Sequence, residues 1–330
     1  MILLFLGGLL AAAVVYQKLG EYRDARRFPP PGRLVSVDGR RLHFSTEGNG
    51  APAVILESGV AASSLSWAHV QPLLAKFTCV VSYDRTGLAW SELPSASPTL
   101  ERMTKTLASL LEKAQILPPY LLVGHSFGGL LIRAFAHERP DQVAGLVLVD
   151  PVSIETWAQC SDLNKQRLAR GVMLSRRGVW LARLGVVRLA LAAATRRNRP
   201  LTTVIAKTSA GTAMPFLTRL VAEVQKLPAE VLPAVRSHWS RAKAFQAMAS
   251  YLEALPQCAE IASKMTISPA IPVTVLSAAN ATAAELQERD QWVRQSKRGR
   301  HLQIENTGHW LHLERPEVIA EAVRELVRLC

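Results

Sequence analysis

Apolar residues gather along this chain in short unbroken runs, and the stretches between them carry apolar positions three and four apart. Val54-Ile55-Leu56, Cys79-Val80-Val81-Ser82-Tyr83, Leu121-Leu122-Val123, Gly145-Leu146-Val147-Leu148-Val149 and Val273-Thr274-Val275-Leu276-Ser277 are runs of the first kind. A strand that is apolar throughout, not at alternate positions, is buried on both faces, as in a parallel sheet. Leu302-Gln303-Ile304 adds a further short strand. Leu107 to Leu117, Gly129 to Ala136 and Pro316 to Leu329 have the helical spacing. Near the start, Leu34-Val35-Ser36-Val37 and Arg41-Leu42-His43-Phe44 flank Asp38-Gly39, which predicts a hairpin. Strands alternating with helices predict an α/β fold: a mostly parallel, eight-stranded sheet covered by helices on both faces.

That rhythm stops between Val152 and Met265, where no strand pattern is visible. Leu174 to Ala193 is apolar with regularly spaced arginines, and His238 to Leu255 is also helical in pattern. The simplest division is an apolar N-terminal segment (residues 1–17), a basic and proline-rich linker (18–32), a core of residues 33–151 and 266–330, and a helical cap (152–265) inserted over the carboxyl ends of the strands. Phe28-Pro29-Pro30-Pro31-Gly32 cannot be helical and favours an extended spacer.

Met1 to Tyr16 contains no charged side chain. As a helix it is about 24 Å long, short of a hydrocarbon core of about 30 Å, with Gln17 and Lys18 placed to snorkel. Ala11-Ala12-Ala13 offers small residues for a cleaved signal peptide, and so leaves export as the rival reading. No Lys or Arg precedes the run, whereas Lys18, Arg23, Arg26, Arg27 and Arg33 follow it. By the positive-inside rule this predicts an anchor with the bulk of the chain in the cytoplasm.

The 330 residues carry a formal charge of +13, and the excess is local: Val152 to Met265 holds 17 Lys/Arg against 6 Asp/Glu. No basic block is interleaved with aromatics, which excludes a nucleic-acid-binding pattern. An anionic membrane surface or an acidic ligand suits the charge better. The four cysteines, Cys79, Cys160, Cys258 and Cys330, have no metal-ligand spacing, and no metal or cofactor is expected. Cys160 and Cys258 lie in the same segment and would pair only in an exported protein.

Candidate chemistry centres on Gly124-His125-Ser126-Phe127-Gly128, set between a strand pattern and a helical one. In that context G-x-S-x-G is a nucleophile elbow. The turn is so sharp that its flanking positions must lack a Cβ, and it lifts Ser126 Oγ above the sheet beside the first helix amides. A serine hydroxyl needs a base within hydrogen-bond reach. His309 follows a strand end and a glycine near a carboxyl edge. His312, one helical turn on, reads as a surface or cap-contact residue, and His125 as a ring packed beneath the elbow. For the acid, Asp150 ends a strand 24 residues after Ser126, while Glu285 and Asn280 are the alternatives after the later strand. The oxyanion donors would be the backbone N–H groups of Val60 and Phe127.

These motifs make the chain resemble the α/β-hydrolase fold superfamily, in particular bacterial capped members with an N-terminal hydrophobic segment. Ser58-Gly59-Val60 stands where that family usually has a His-Gly-x turn. Tyr83-Asp84-Arg85-Thr86-Gly87 resembles its D-R-x-G segment, and Thr307-Gly308-His309 stands at its catalytic histidine. The family often places its aspartate after the strand ending at Ser277, but here Ala278-Ala279-Asn280-Ala281-Thr282 follows. Haloalkane dehalogenases similar in layout carry the acid at the strand end that Asp150 occupies.

The expected activity is therefore acyl transfer to water: a serine hydrolase cleaving a carboxylic ester, or a related acyl bond, of a small hydrophobic substrate. Two other classes share these residues: an acyltransferase on the same triad, and a non-enzymatic ligand-binding or scaffold protein on a hydrolase fold. The sequence does not specify an oligomeric state.

Overall fold

The computed structural model describes residues 1–196 and 224–330. The part of the expected cap that falls between these two stretches lies outside the described residues. The chain opens with helix α1 (Ile2–Arg27). Nothing between Gln17 and Arg27 breaks a helix, so the basic stretch expected to be linker continues it. Only Phe28 to Gly32, with its three prolines, is non-helical.

Strands β1 (Arg33–Val37) and β2 (Arg40–Glu47) form the antiparallel hairpin, turning through Asp38 and Gly39, both at positive φ. Strands β3 (Ala53–Glu57), β4 (Val80–Tyr83), β5 (Tyr120–His125), β6 (Val143–Val149), β7 (Val273–Ala278) and β8 (Gly299–Ile304) complete an eight-stranded sheet. Its order is β1-β2-β4-β3-β5-β6-β7-β8, antiparallel at the β1–β2 and β2–β4 pairs and parallel from β4 onward. In the core, α2 (Gln71–Leu74), α3 (Leu100–Lys113) and α4 (Phe127–Glu138) come before the cap. The cap contributes α5 (Ile154–Ala158), α6 (Asp162–Arg183), α7 (Val186–Arg196), α8 (Leu232–Trp239) and α9 (Ala242–Ser263). After it come α10 (Ala283–Arg294), the single turn α11 (Leu311–Glu314) and α12 (Pro316–Val327).

The unbroken apolar strands are explained by two core layers. Alternate strand residues face opposite ways, so Ile55, Val81, Leu122 and Leu148 pack with α3, α4 and α9. Val54, Leu56, Leu121, Val123 and Val147 pack on the other face with Trp67, Leu74 and the apolar side of α12. Each such side chain, buried at 0 or 1% exposure, contributes roughly 1.5–3 kcal/mol to folding.

Within the cap, the expected helix from Leu174 to Ala193 is two helices, because Gly185 at φ 69° ends α6 and starts α7 at a new angle. The expected helix from His238 to Leu255 is likewise divided between α8 and α9 at Ser240 and Arg241. The polar half of α1 is clasped to the cap. Gln17, 1% exposed, donates from Nε2 to Ser240 O (2.9 Å) and accepts at Oε1 from Arg188 Nε (3.0 Å). Arg188 also pairs with Asp24 at 2.6 Å. All four cysteines are free thiols.

Candidate active site

Ser126 sits between β5 and α4 at φ 53° and ψ −117°, a conformation that costs a non-glycine residue about 1–3 kcal/mol. The surroundings hold it there. A Cβ on Gly124 would lie 2.6 Å from Gly128 O, and one on Gly128 would lie 2.4 Å from Glu57 O. Both glycines are thus required by close backbone approach. Ser126 N donates to Val149 O (3.1 Å), tying the elbow to the end of β6.

The structure brings three of the sequence-predicted residues together. His309 Nε2 is 2.9 Å from Ser126 Oγ, and His309 Nδ1 is 2.7 Å from Asp150 Oδ2. Glu285 lies elsewhere: its side chain accepts from Thr282 N (2.8 Å) and completes the capping box of α10. Asn280 is an exposed residue of the turn after β7.

Asp150 is 6% exposed, and its second oxygen is held as firmly as the first. Oδ1 accepts from Ala278 N (3.0 Å) and from Arg289 Nη1 (2.9 Å). Burial pushes this carboxyl up. The hydrogen bond from His309 and the positive charge of Arg289 outweigh that and hold it down at about 2. Arg289, from α10, is 2% exposed and also donates to Ser277 Oγ (2.9 Å) and, through Nη2, to Pro151 O (2.7 Å). Ser277 Oγ in turn lies 2.7 Å from His301 Nε2, whose Nδ1 meets Asp290 at 2.7 Å. Beside Arg289, Glu288 Oε1 accepts from Ile154 N (2.9 Å) and Glu155 N (3.0 Å) at the start of the cap.

Arg289 is the functional residue that sequence reasoning missed. It lies in a charged stretch, Glu285 to Asp290, that looks like a solvated helix face. The only signal was the lack of a carboxylate directly after β7, which leaves the Ala278 amide and an arginine free to serve an acid on the neighbouring strand.

The Ser58-Gly59-Val60 turn lies against the elbow: a Cβ on Gly59 would be 3.1 Å from His125 Nδ1 and 3.7 Å from Ser126 Cβ. Arg85 grips its carbonyls, donating from Nη1 to Ser58 O (2.5 Å), and from Nη2 to Gly59 O and to Val60 O (3.1 Å). Its charge is paired with buried Glu57, which also accepts from Tyr83 OH. With the carbonyls turned toward Arg85, the amide edge of the turn is left for the side facing Ser126. Ser58 braces the same turn by donating to Ser63 O (2.9 Å). Phe127, at the first position of α4, is 1% exposed.

His125 is buried beneath the elbow, where its Nε2 donates to His309 O (2.7 Å). His312 corrects the expectation of a surface or cap-contact residue. The short α11 turns it inward, fully buried, 4.2 Å from the His125 ring and 5.0 Å from Trp67. Burial pushes both imidazoles down, His125 to about 3 and His312 well below its ordinary value, so both are neutral. Beside the site, Trp310 and Leu313 join Leu65 and the cap residues Leu232, Val235 and Trp239 in an apolar cluster.

Comparison with known proteins fits this architecture. A sequence model of the alpha/beta hydrolase fold matches residues 52–316. An uncharacterised protein of Bacillus subtilis, YqjL, is 32% identical over 123 residues, 36% of this chain and 47% of that protein. The matched segments span less than half the length of the first curated relatives. Among solved structures, the epoxide hydrolase CorEH is similar with a TM-score of 0.60 at 20% identity, covering 89% of this chain and 97% of that one. The enol-lactonase of Burkholderia xenovorans LB400 is similar with a TM-score of 0.57 at 19% identity, covering 90% and 100%. A thermophilic esterase from Thermogutta terrifontis gives 0.56 at 20%, covering 90% and 98%. At these identities the structural likeness shows the fold alone.

Proposed function

Because the chain belongs to the alpha/beta hydrolase fold family, we propose that it is a serine hydrolase acting on a carboxylic ester, or a related acyl bond, of a hydrophobic substrate. The observation that carries this reading is the unbroken chain from Ser126 Oγ through His309 to Asp150, at 2.9 and 2.7 Å. Ser126 attacks the carbonyl carbon while His309 Nε2 takes its proton. Asp150, accepting from Nδ1, fixes the imidazole tautomer and stabilises the imidazolium. The oxyanion lies between the N–H groups of Val60 and Phe127. His309 returns the proton to the leaving alcohol and the acyl group stays on Ser126; His309 then takes a proton from a water whose oxygen attacks the acyl carbon, and gives it to Ser126 Oγ as the acid leaves.

A serine at the elbow does not suit epoxide opening, which in the aspartate-nucleophile branches of this fold needs a carboxylate there. The apolar cluster of Trp310, Leu313, Val235 and Trp239 supports a hydrophobic acyl group. Helix α1 supports a location at a membrane: an 18-residue window within Leu4–Arg27 has a mean hydropathy of 1.2, and only 6% of that window is buried. The basic residues that follow the apolar half support a catalytic domain on the cytoplasmic side.

The test is covalent labelling with a fluorophosphonate, followed by turnover of an ester panel of increasing chain length. Labelling at Ser126 and hydrolysis that vanishes in Ser126→Ala are expected. An unlabelled, folded protein would sink the enzymatic reading. Transfer of the acyl group to added alcohols in preference to water would make it an acyltransferase.

A further inference from the structure

Helix α1 leaves the cap at a defined point. Gly185, between α6 and α7, receives the Tyr16 ring so closely that a Cβ there would lie 2.8 Å from Tyr16 Cδ1. On one side of that point are the polar contacts of Gln17 and Asp24 with the cap. On the other, Leu4, Phe5, Leu6, Leu9, Leu10 and Val15 are each more than half exposed. The corner that marks this boundary has the same character. Trp180 is 65% exposed, and Leu181, Val186 and Leu189 are exposed beside it. Arg177 and Arg183 lie exposed among them, the Arg183 guanidinium 4.8 Å from the centre of the Trp180 ring.

A bilayer that receives the uncharged stretch up to Tyr16 has its interface where Tyr16 meets Gly185. We propose that the α6–α7 corner is a second, peripheral membrane contact on an anionic phospholipid bilayer. Trp180, Leu181, Val186 and Leu189 enter the headgroup layer, and Arg177 and Arg183 meet lipid phosphates. The occupant follows from continuity and charge. The patch adjoins a helix segment too apolar for water, its tryptophan–arginine pairing is the composition of a bilayer interface, and the cap that carries it is strongly basic. The inference rests on the reading of α1 as a membrane helix and adds which face of the cap is turned to lipid. It also answers the shortness of the α1 apolar run, since two contacts hold where one short helix is weak.

Trp180 provides the test. Of the seven tryptophans, it alone is exposed; the others are buried or half-buried. Full-length protein is mixed with vesicles of phosphatidylcholine and phosphatidylglycerol whose chains are brominated near the headgroup, and tryptophan quenching is measured after flotation. Quenching that largely disappears in Trp180→Phe is expected. It should weaken in the double variant Arg177→Gln/Arg183→Gln, in vesicles of phosphatidylcholine alone, and at high salt. Protein that floats with the vesicles but is quenched equally with and without Trp180 overturns the corner contact and leaves the patch to a protein partner. Protein that does not float overturns the reading of α1 and this inference with it.

Discussion

Arg289 Nη1 donates to Asp150 Oδ1 at 2.9 Å, on the side of the carboxylate opposite His309. A buried cation therefore fixes the orientation of the acid and keeps it ionised. Charge-assisted hydrogen bonds of this kind are worth about 1.5–3 kcal/mol, or about 10- to 150-fold in rate if the whole effect falls on the transition state. Arg289→Met should lower kcat by that factor with little change in KM, and should also lower the melting temperature, because Asp150 is left buried without its cation. Arg289→Lys should recover part of the rate. Steady-state kinetics on the three proteins checks this; an unchanged kcat in Arg289→Met would show that the Ala278 amide suffices.

Asp150→Asn should be far more damaging than any change at Glu285. Loss of the charge beneath the imidazole costs on the order of 10⁴-fold where an equivalent acid has been replaced by its amide. Glu285→Gln touches only the capping box, so it should cost about 1 kcal/mol of stability or less and leave kcat as it is. Parallel kinetics and thermal unfolding on the two variants distinguish the roles.

Acid sensitivity should come from buried histidines. His125 and His238 are pushed down to about 3 by burial, and His312 well below its ordinary value. Each stays neutral when folded, whereas in the unfolded chain each takes up a proton near pH 6.5. Below that pH the unfolded state binds more protons, so stability is full above about pH 6.5 and falls as pH drops toward 3. The loss is at most about 1.4 kcal/mol per pH unit for each group. Asp150, held at about 2, is lost only at much lower pH. Melting temperatures between pH 7 and 5 (about the physiological range of histidine titration) should drop steeply, and His312→Leu should flatten the drop. A slope unaltered by His312→Leu would assign the sensitivity to other groups.

Shortening the N-terminus should have two distinct effects. Removing residues 1–15 takes away the apolar half of α1 but keeps the Gln17–Ser240 and Asp24–Arg188 contacts. Such a protein should be more soluble, bind membranes only through salt-sensitive contacts of the cap, and keep its melting temperature. Removing residues 1–32 also strips the partners from the largely buried Arg188, and the melting temperature should then fall. Equal melting temperatures for both shortened proteins would mean that the clasp contributes nothing.

The strands and the elbow were legible because their signals are local. An apolar run with a β-to-helix switch fixes Ser126 whatever packs around it, and Asp38-Gly39 specifies its own turn. Helix ends were less legible: α6 and α7 read as one periodic segment until Gly185 is seen at positive φ against Tyr16. Arg289 and Arg188 were not legible at all. Their partners lie 139 and 164 residues away, and a single arginine in a charged helix gives no sign of turning inward. His312 misled for the same reason, since a histidine beside a polar turn usually meets solvent.

The paired grip of Glu288 and Arg289 also decides where the cap cannot pivot. Arg289 holds Pro151 O, and Glu288 holds the Ile154 and Glu155 amides, so the first stretch of the insertion is fastened to α10 and moves with the sheet. A swing of the cap that began at Val152 would break both amide contacts of Glu288. Helix α5 is held from the cap side as well, because Ile154, Trp157 and Ala158 share the core of Ala247, Tyr251 and Ala254 on α9. Helix α5, and α9 with it, thus behaves mechanically as part of the floor that keeps Asp150 and His309 at their spacing.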